Sequence, residues 1–476
     1  MPPGRNRSRR GADHALVLGA GISGLCAARA LSGFFEHVTV VERDALPEAS
    51  GVRRGVPQGA HVHSLTPGGA TALEELFPGF VNELAADGGT LAGALDELDI
   101  VFFGSRLRQV PLGQVLQVSR PFLEDRLRAR VLALPGVSLR SGLEATAPVS
   151  NEPTTAAPLA DGRSGVTGVR LARPGEPDSV ETVAADLVVD AMGRAGRGAA
   201  WLRSLGYQEP ATTRLAVDVA YASRRYRVAP GALGQAKGVL IGATQAHPRG
   251  AVLTQQENDS WVLSLYGFGK DQGPPGTPEH FLDFAEPLLA AGTRAALRAA
   301  EPITGVSTFH YPASLRRDFH RLRRLPEGLV SVGDAVCSLN PIYGAGMTVA
   351  ALEARALRSC LAAGVAGLPR RFYREVARAV RLPWLFSTMA DRSMPQVPGT
   401  HPAVAGLLAK SFRATMRAAA EDAVVATAVW NAVSLTGSPA ELARPRVVAS
   451  VLRHWSPGAA RRTAPPAERN DPHAGL

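Results

Sequence analysis

Apolar and polar positions near the start of the chain follow the periods of alternating strands and helices. A short apolar run at residues 15–18 predicts a strand, the spacing over 22–31 predicts a helix, and an apolar run at 38–41 predicts a second strand. Two strands joined by a helix form a β-α-β unit, whose strands lie parallel in one sheet. The opening of the chain therefore predicts a parallel α/β sheet.

The middle of the chain is predicted to be rich in strands. Ser119 is placed to cap a helix that has Pro121 in its first turn and ends at Pro135-Gly136. A last strand is predicted over 328–332, followed by a helix over 346–361. Between these elements, further strands are predicted at residues 166–171, 186–189, 215–221, 239–243 and 261–266.

Residues 370–455 have a helical pattern. Pro383, Pro395 and Pro398 predict breaks in it, because proline cannot donate the backbone hydrogen bond of an α-helix. Ser438 followed by Glu441 predicts a capping box at the start of a further helix.

These elements predict an α/β chain with a nucleotide-binding sheet, an inserted β-rich domain and a helical C-terminal region. The predicted parts are a disordered basic leader (1–13), the nucleotide-binding domain (14–75 with 115–200 and 315–365), the β-rich substrate domain (76–114 with 201–314), the helical region (366–456) and a disordered tail (457–476).

Composition narrows the class of protein. The 476 residues are 45% hydrophobic and 20% charged, which is typical of globular proteins. No uncharged apolar run reaches about 18 residues, so no integral membrane association is expected. The net charge is +10, but no module that reads DNA or RNA is present, so no nucleic acid is expected as a partner. The three widely spaced cysteines favour a reducing, cytoplasmic location.

A glycine motif follows the first predicted strand and opens the first predicted helix. Glycine lets the backbone approach a pyrophosphate, and the helix N-terminus offers free N–H groups. Glu42 ends the next strand, 23 residues after the first glycine, where it can accept hydrogen bonds from ribose hydroxyls. This acid favours FAD or NAD over NADP. The candidate binding residues are Gly19, Gly21, Ile22, Ser23, Gly24 and Glu42.

A second glycine-rich site near residue 340 favours FAD over NAD. Asp334 ends a predicted strand, where it can accept hydrogen bonds from ribityl hydroxyls. The helix that starts close by can stabilise negative charge on a reduced flavin ring. An NAD dehydrogenase has no need of such a second site. The candidate residues are Gly333, Asp334, Pro341, Gly344, Ala345, Gly346 and Met347.

These two motifs, together with the Asp-Ala-Met-Gly-Arg segment at 190–194, resemble those of FAD-dependent monooxygenases of the para-hydroxybenzoate hydroxylase type (group A). The resemblance spans most of residues 14–365. More narrowly, the segments 40–47, 53–63 and 340–344 look like those of the flavin-dependent epoxidases of polyether-ionophore biosynthesis.

The resemblance implies a Rossmann-like FAD-binding domain of the para-hydroxybenzoate hydroxylase type, and it places Arg43, Arg53 and Arg120 at the FAD. The chain departs from the pattern at three positions. Met192 stands where the family usually has Thr, Ala60 where the epoxidases have Arg, and Ala345 where they have His. The resemblance places Ala60 and Ala345 near the flavin or the substrate, so the substrate is expected to differ from those of the epoxidases.

The implied activity is insertion of one oxygen atom of O₂ through a flavin C4a-hydroperoxide, with epoxidation of an alkene in a hydrophobic polyketide or terpenoid intermediate. NAD(P)H would supply electrons directly or through a separate flavin reductase, since no second dinucleotide motif is present. An aromatic hydroxylase and a flavin-dependent reductase of isoprenoid double bonds remain as alternatives. A flavin-dependent halogenase shares the fold, but its Trp-x-Trp-x-Ile-Pro signature is missing.

Candidate pocket residues are His61, His63 and Tyr343. The sequence does not identify a catalytic residue. His61 and His63 would share one face of a strand. No cysteine or carboxylate cluster completes a metal site around them, so no metal is expected. His310-Tyr311 is a further candidate for the cavity border. The arginines at 316, 317, 321, 323 and 324 are predicted to form a solvated face.

Overall fold

The computed structural model describes residues 13–46, 51–151 and 165–455. The predicted tail and all but the last residue of the predicted leader lie outside these ranges.

The strands are, in chain order, β1 (His14–Leu18), β2 (His37–Glu42), β3 (Ser64–Leu65), β4 (Thr90–Gly93), β5 (Leu98–Phe102), β6 (Ser105–Arg106), β7 (Gln114–Gln117), β8 (Val137–Ser141), β9 (Glu144–Ser150), β10 (Val166–Arg173), β11 (Glu176–Ala184), β12 (Leu187–Asp190), β13 (Thr212–Arg227), β14 (Gly238–Ile241), β15 (Arg249–Gln255), β16 (Ser260–Phe268), β17 (Glu301–Pro302), β18 (Ser307–Arg317), β19 (Leu329–Ser331) and β20 (Cys337–Ser338).

The α-helices are, in chain order, α1 (Ile22–Leu31), α2 (Pro67–Leu76), α3 (Phe80–Ala86), α4 (Arg120–Leu132), α5 (Gly198–Ser204), α6 (Pro278–Ala285), α7 (Ala291–Ala299), α8 (Gly346–Leu361), α9 (Leu368–Arg392), α10 (Pro402–Glu421), α11 (Ala423–Ser434) and α12 (Pro445–Arg453).

A five-stranded sheet forms the centre of the nucleotide-binding part. Its strand order is β19-β12-β1-β2-β8, and every pairing in it is parallel. α1 connects β1 to β2 and packs against α8. The predicted β-α-β unit and the parallel sheet are therefore confirmed, and the carboxyl ends of β1, β2 and β12 meet at one edge of this sheet.

A nine-stranded sheet forms most of the inserted part. Its order is β20-β18-β13-β16-β15-β14-β5-β6, and β17 pairs with β13 at one side. Most of its pairings are antiparallel, and β14 with β5 is parallel. Two three-stranded sheets, β3-β7-β4 and β9-β10-β11, complete the strands. The predicted fold class is confirmed, whereas the domain boundaries stay a prediction.

The helical C-terminal region is present, but one of its predicted breaks is wrong. α9 continues through Pro383 to Arg392. Trp384, the next residue, is buried, and the guanidinium of Arg316 lies 5.2 Å from its ring centroid. Packing on this stretch outweighs the backbone hydrogen bond that proline removes. The chain does leave the helix before Pro395 and Pro398.

The predicted capping box starts only a single 3₁₀ turn, Pro439–Glu441. The carboxylate of Glu441 accepts a hydrogen bond from Nδ2 of Asn431 on α11 at 3.0 Å. The carboxylate of Glu441 is therefore bonded to α11 and does not cap a helix that starts at Ser438. The next helix, α12, starts at Pro445.

The largest hydrophobic core surrounds the parallel sheet, α1, α4 and α8, and it includes the buried Cys26, Cys337 and Cys360, all of which are free thiols. A second core joins β4 and β5 to α10, α11 and α12. In the described part of the chain, no helix combines the length and the apolar character needed to cross a bilayer.

Candidate functional site

A cavity of about 920 Å³ runs from the carboxyl edge of the parallel sheet to the C-terminal helices. It brings together segments that lie more than 300 residues apart in sequence. Most of the predicted site residues line it, whereas Gly24 and Gly333 do not. The predicted residues in its wall are Gly19, Gly21, Ile22, Ser23, Glu42, Arg43, Arg53, His61, His63, Arg120, Asp334, Pro341, Tyr343, Gly344, Ala345, Gly346 and Met347.

Gly24 and Gly19 act through close backbone packing at the first motif. Gly19 has a φ of +109°, and a Cβ on it would lie 2.6 Å from the carbonyl oxygen of Ala191. A Cβ on Gly24 would overlap the carbonyl oxygen of Gly19. Only glycine at these two positions lets α1 start directly above the end of β1.

Glu42 lies at the end of β2 and faces the glycine turn. One carboxylate oxygen accepts a hydrogen bond from the backbone N–H of Ala20 at 2.9 Å. The other accepts one from the N–H of Asp44 at 3.0 Å. These bonds hold a buried acid at the position where the motif requires a partner for ribose hydroxyls.

Arg53 lies beneath the glycine turn among three carboxylates. Its side chain is only 8% exposed, and its Nη1 lies 3.0 Å from Glu42 and 3.3 Å from Asp44. Its Nε lies 3.4 Å from Glu124. Burial alone would lower the pKa of Arg53, but Glu124, Glu42 and Asp44 raise it above its usual value. The guanidinium therefore stays charged.

Arg120 adds a second guanidinium to this cluster. Its Nε donates to Glu124 at 2.6 Å, one helical turn further along α4. A Cβ on Gly21 would lie 3.8 Å from Nη2 of Arg120, and 3.9 Å both from Nη2 of Arg53 and from Oε1 of Glu124. The glycine turn thus leaves open a space lined by two guanidiniums and one carboxylate, where the guanidiniums and the N-terminus of α1 can face an anionic pyrophosphate. Sequence reasoning missed Glu124, although its i+4 spacing from Arg120 was visible.

The second motif touches the first. Gly333 has a φ of +64°, and a Cβ on it would overlap the hydroxyl of Ser23. Its N–H donates to the buried carboxyl of Glu353 on α8. Burial raises the pKa of Glu353 to about 8, so this carboxyl is mostly protonated at neutral pH. Glu353 was not predicted, because only the tertiary fold brings α8 under this turn.

Asp334 lines the cavity beside Arg194. Oδ2 of Asp334 accepts a hydrogen bond from the hydroxyl of Ser338 at 3.3 Å, and Arg194 donates to the same hydroxyl at 2.7 Å. Burial raises the pKa of Asp334, while Arg194 opposes that shift. The turn after β19 therefore presents a carboxyl, held by Ser338 and close to the cation of Arg194, to a ligand in the cavity.

The loop before α8 presents backbone N–H groups to the cavity. Gly344 has a φ of +64°, and α8 begins two residues later at Gly346. The first N–H groups of a helix have no acceptor within the helix. The sixteen-residue α8 therefore points its positive end at the cavity, which suits a ring that becomes anionic on reduction.

Asp190 holds the turn that carries Met192. Its carboxyl is fully buried and accepts hydrogen bonds from the N–H of Met192 at 3.2 Å and of Gly198 at 2.6 Å. Burial raises the pKa of Asp190 despite these bonds. The turn places the side chain of Met192 in the cavity wall.

His61 and His63 lie in the loop before β3 and not on a strand as predicted, but both line the cavity and are held in fixed orientations. Nδ1 of His61 lies 2.7 Å from the hydroxyl of Ser223, and Nδ1 of His63 lies 3.0 Å from the carbonyl oxygen of His61. Burial lowers the pKa of His61 to about 4 and that of His63 to about 3. Both rings are therefore neutral at pH 7. Nε2 of His61 has no hydrogen-bond partner among the described residues.

Tyr343 reaches from the cavity wall to a buried carboxyl on α9. Its hydroxyl donates to Oδ1 of Asp391 at 2.8 Å, and Asn340 donates to the same oxygen at 2.8 Å. Burial raises the pKa of Asp391 to about 7, although both hydrogen bonds lower it. Asp391 was not predicted, since nothing in the helical pattern distinguishes it from a surface acid.

Two sequence interpretations are corrected here. His310 does not line the cavity, because it is exposed and pairs with Asp218 at 2.7 Å, whereas Tyr311 beside it does line the cavity. The arginine run is not uniformly a solvated face. Arg316 pairs with Asp318 at 3.0 Å, and Arg317 donates to the carbonyl of Ala335 at 2.8 Å. The end of β18 lies against the second motif, and the side chain of Arg317 braces it.

Within residues 13–46, 51–151 and 165–455, no group of three His, Cys, Asp or Glu side chains is arranged to hold a metal ion.

The chain is similar in sequence to a mycobacterial protein and similar in fold to solved structures of flavin-dependent enzymes. It is 35% identical to Protein Rv3254 of Mycobacterium tuberculosis (strain ATCC 25618 / H37Rv) over 97% of this chain and 98% of that protein. No protein-family model matches it. Among solved structures, a triple mutant of the flavin-dependent brominase Bmp2 superposes with a TM-score of 0.58 at 14% identity, covering 94% of this chain and 96% of the brominase.

The structure of pqsL, a probable FAD-dependent monooxygenase from Pseudomonas aeruginosa, superposes with a TM-score of 0.57 at 18% identity, covering 88% of this chain and 100% of that one. At such identities the two superpositions establish the fold. The sequence likeness to Protein Rv3254 is higher and extends over nearly the whole of both chains. The chain therefore belongs to the same protein family as Protein Rv3254.

Proposed function

We propose that the protein is an FAD-dependent monooxygenase that transfers one oxygen atom of O₂ to a small hydrophobic substrate. The observation that carries this proposal is the continuity of the cavity. One end has the glycine turns, cations and helix N-terminus that suit a flavin dinucleotide, and the other end is a chamber with no charged side chain in its wall.

The residues at the nucleotide end fit FAD. Glu42 would bind the ribose, and Arg53 and Arg120 would face the pyrophosphate across Gly21. Asp334 and the N-terminus of α8 would hold the ribityl chain and the ring. When bound, FAD that has been reduced by NAD(P)H supplies the chemistry that activates O₂.

The chain's own contribution is to exclude water and to position the substrate. Buried aromatic and aliphatic residues such as Tyr266, Phe268 and Trp430 line the chamber. A dry wall prevents loss of the activated oxygen to water, and a fixed orientation brings the acceptor carbon within reach.

Within this activity we infer epoxidation of an alkene. Hydroxylation of a phenol benefits from a general base near pH 7. The two histidines in the wall have pKa values of about 4 and about 3 and are weak bases. Asp391, whose pKa is about 7, does not line the cavity and contacts it only through the hydroxyl of Tyr343. An alkene needs no deprotonation before it accepts an oxygen atom, so the weakness of these bases favours the alkene over the phenol.

The electrons would come from NAD(P)H, either bound transiently near the flavin or used by a separate flavin reductase. Three free, buried cysteines suit a reducing cytoplasm as the site of this reaction.

The test is product analysis under ¹⁸O₂ with the FAD-loaded protein, NAD(P)H, an added flavin reductase, and polyene, terpenoid and phenolic candidates. We expect an epoxide that carries one ¹⁸O atom, with the second atom of O₂ released as water. A catechol-type product would instead establish an aromatic hydroxylase. Absence of ¹⁸O from every product, together with slow oxidation of the reduced protein by O₂, would refute the monooxygenase and favour a reductase of isoprenoid double bonds.

A further inference from the structure

The cavity is divided by charge into two parts. Its charged lining residues come from the segments that surround the two glycine motifs, namely Glu42, Arg43, Arg53, Arg120, Glu144, Arg194, Arg197 and Asp334. Arg194 also contacts the nine-stranded sheet, since its guanidinium lies 4.7 Å from the ring centroid of Tyr311. We call the remainder of the cavity the apolar chamber. It is lined by the nine-stranded sheet, which includes β5, and by the C-terminal helices. Its lining residues include Phe102, Leu240, Phe268, Leu408, Phe412 and Val429.

The methionines of the chain are concentrated around this cavity. The sequence has six, and all five that follow Met1 line the cavity wall. Met192 and Met347 border the nucleotide end. The other three, Met389, Met394 and Met416, come from α9, the turn after it and α10, and they line the apolar chamber.

Elsewhere the buried core contains no methionine. Aside from Met347, Met394 and Met416, its buried positions in the described ranges are filled by Leu, Val, Ala, Ile, aromatic residues and cysteine. Core packing in this chain therefore does not require methionine in general. All five methionines after Met1 line the cavity, where a ligand would lie. We therefore relate methionine to ligand binding and not to general core packing.

Methionine differs from leucine in being unbranched, with three rotatable bonds and a polarisable sulfur, so it can repack around different shapes. Other parts of the wall are more rigid. Phe103 and Phe412, for example, stack with their ring centroids 4.6 Å apart and their planes at 4°. The chamber thus combines a stiff aromatic side with a thioether side that can adjust.

We propose that the apolar chamber binds neutral, apolar molecules of more than one shape, and that Met389, Met394 and Met416 are the residues that set this tolerance. The inference takes from the proposed function only that this chamber is the substrate site. Neutral ligands are favoured because a buried charge would find no opposite charge in the chamber wall.

The test compares a rigid ligand with a flexible one in the FAD-loaded protein. Nile red reports occupancy by its fluorescence, and pyrene and farnesol displace it. We expect the wild type to bind both ligands with Kd values within about threefold. In the M389L/M394L/M416L variant we expect pyrene to bind about tenfold more weakly, because neither ligand nor wall can then adjust, while farnesol keeps its affinity.

L297M is the matched control. Leu297 is buried in a core outside the cavity, so the reverse exchange there should change neither Kd. If the triple variant does not fold, M389L alone serves, since Met389 is only half-buried. A smaller loss in the same direction is then expected.

Several results would overturn the proposal. They are equal affinity of wild type and variant for pyrene, an equal loss for both ligands, or a wild type that binds only farnesol or neither ligand. Tighter binding of dodecanoate than of dodecan-1-ol would overturn the preference for neutral ligands. These displacement readouts require no turnover, so a failure of ¹⁸O incorporation leaves them interpretable and is a separate result.

Discussion

Replacement of Arg53 by methionine, which keeps much of the side-chain volume and removes the charge, tests the electrostatic structure beneath the glycine turn. The side chains of Arg53, Glu42, Asp44 and Glu124 are between 6% and 9% exposed. Arg53 is the one residue that pairs with all three of these carboxylates in the described ion pairs. Its loss leaves Glu42 without an ion pair among the described residues and Asp44 with only the long contact to Arg43, while Glu124 keeps its pair with Arg120.

Removing one partner of a buried ion pair costs about 3–5 kcal/mol. We therefore expect R53M to lower the free energy of unfolding of the protein without FAD by that amount, as measured by urea denaturation followed by circular dichroism. We also expect FAD affinity to fall by about tenfold to a hundredfold, since a charge-assisted hydrogen bond contributes about 1.5–3 kcal/mol.

Arg43 provides the matched control. It also lines the cavity, but its side chain is 53% exposed and its contact with Asp44 is long, at 4.0 Å. An exposed pair of this kind contributes less than about 1 kcal/mol. R43M should therefore unfold nearly as the wild type does. Equal destabilisation by the two substitutions, or an R53M variant within about 1 kcal/mol of the wild type, would refute the reasoning.

Three further substitutions probe the site. G24A should prevent FAD binding and lower the melting temperature, because the added Cβ would overlap a backbone carbonyl. G33A is the control and should do neither, since a Cβ there meets nothing within 4 Å. Equal melting curves for the two variants would contradict this prediction. E353Q should be more stable than the wild type above pH 8. The folded wild type holds a proton that the unfolded chain has released, so between pH 4.5 and about 8 its stability should fall relative to E353Q by on the order of 4 kcal/mol. Denaturant titrations would measure the free energy of unfolding of both proteins across this pH range. If the difference between E353Q and the wild type stayed constant, Glu353 would not be protonated in the folded protein. D391L should lower the free energy of unfolding by about 2–4 kcal/mol, because it leaves the hydroxyl of Tyr343 unpaired. D391N keeps an acceptor oxygen and should lower it by only about 1 kcal/mol. Similar losses for the two variants would show that Asp391 contributes by packing alone.

The parts of the fold that follow local rules were predictable from the sequence. The strand, glycine turn, helix and second strand at 14–42 obey the geometry of a β-α-β unit, and Glu42 follows from the same geometry. The acid and glycines at 333–346 were visible as a second turn and helix start. Such motifs can be predicted because each residue acts on its neighbours in the chain.

Contacts between distant segments were not predictable. Asp391 meets Tyr343 only because α9 packs against the loop before α8, and helical periodicity says nothing about that approach. The continuation of α9 through Pro383 has the same origin, since tertiary packing overrides a local rule. The bracing role of Arg317 likewise depends on where β18 ends in space.

The charge division of the cavity connects these observations to function. The charged side chains in its wall come from β2, β9, α4 and the loops near the carboxyl edge of the parallel sheet, and the described residues of the nine-stranded sheet and the C-terminal helices contribute none. Substitutions in those latter segments can therefore alter the chamber without removing a cation or an acid from the nucleotide end. Under the proposed function, the chamber wall, which contains Met389, Met394 and Met416, would therefore select the substrate.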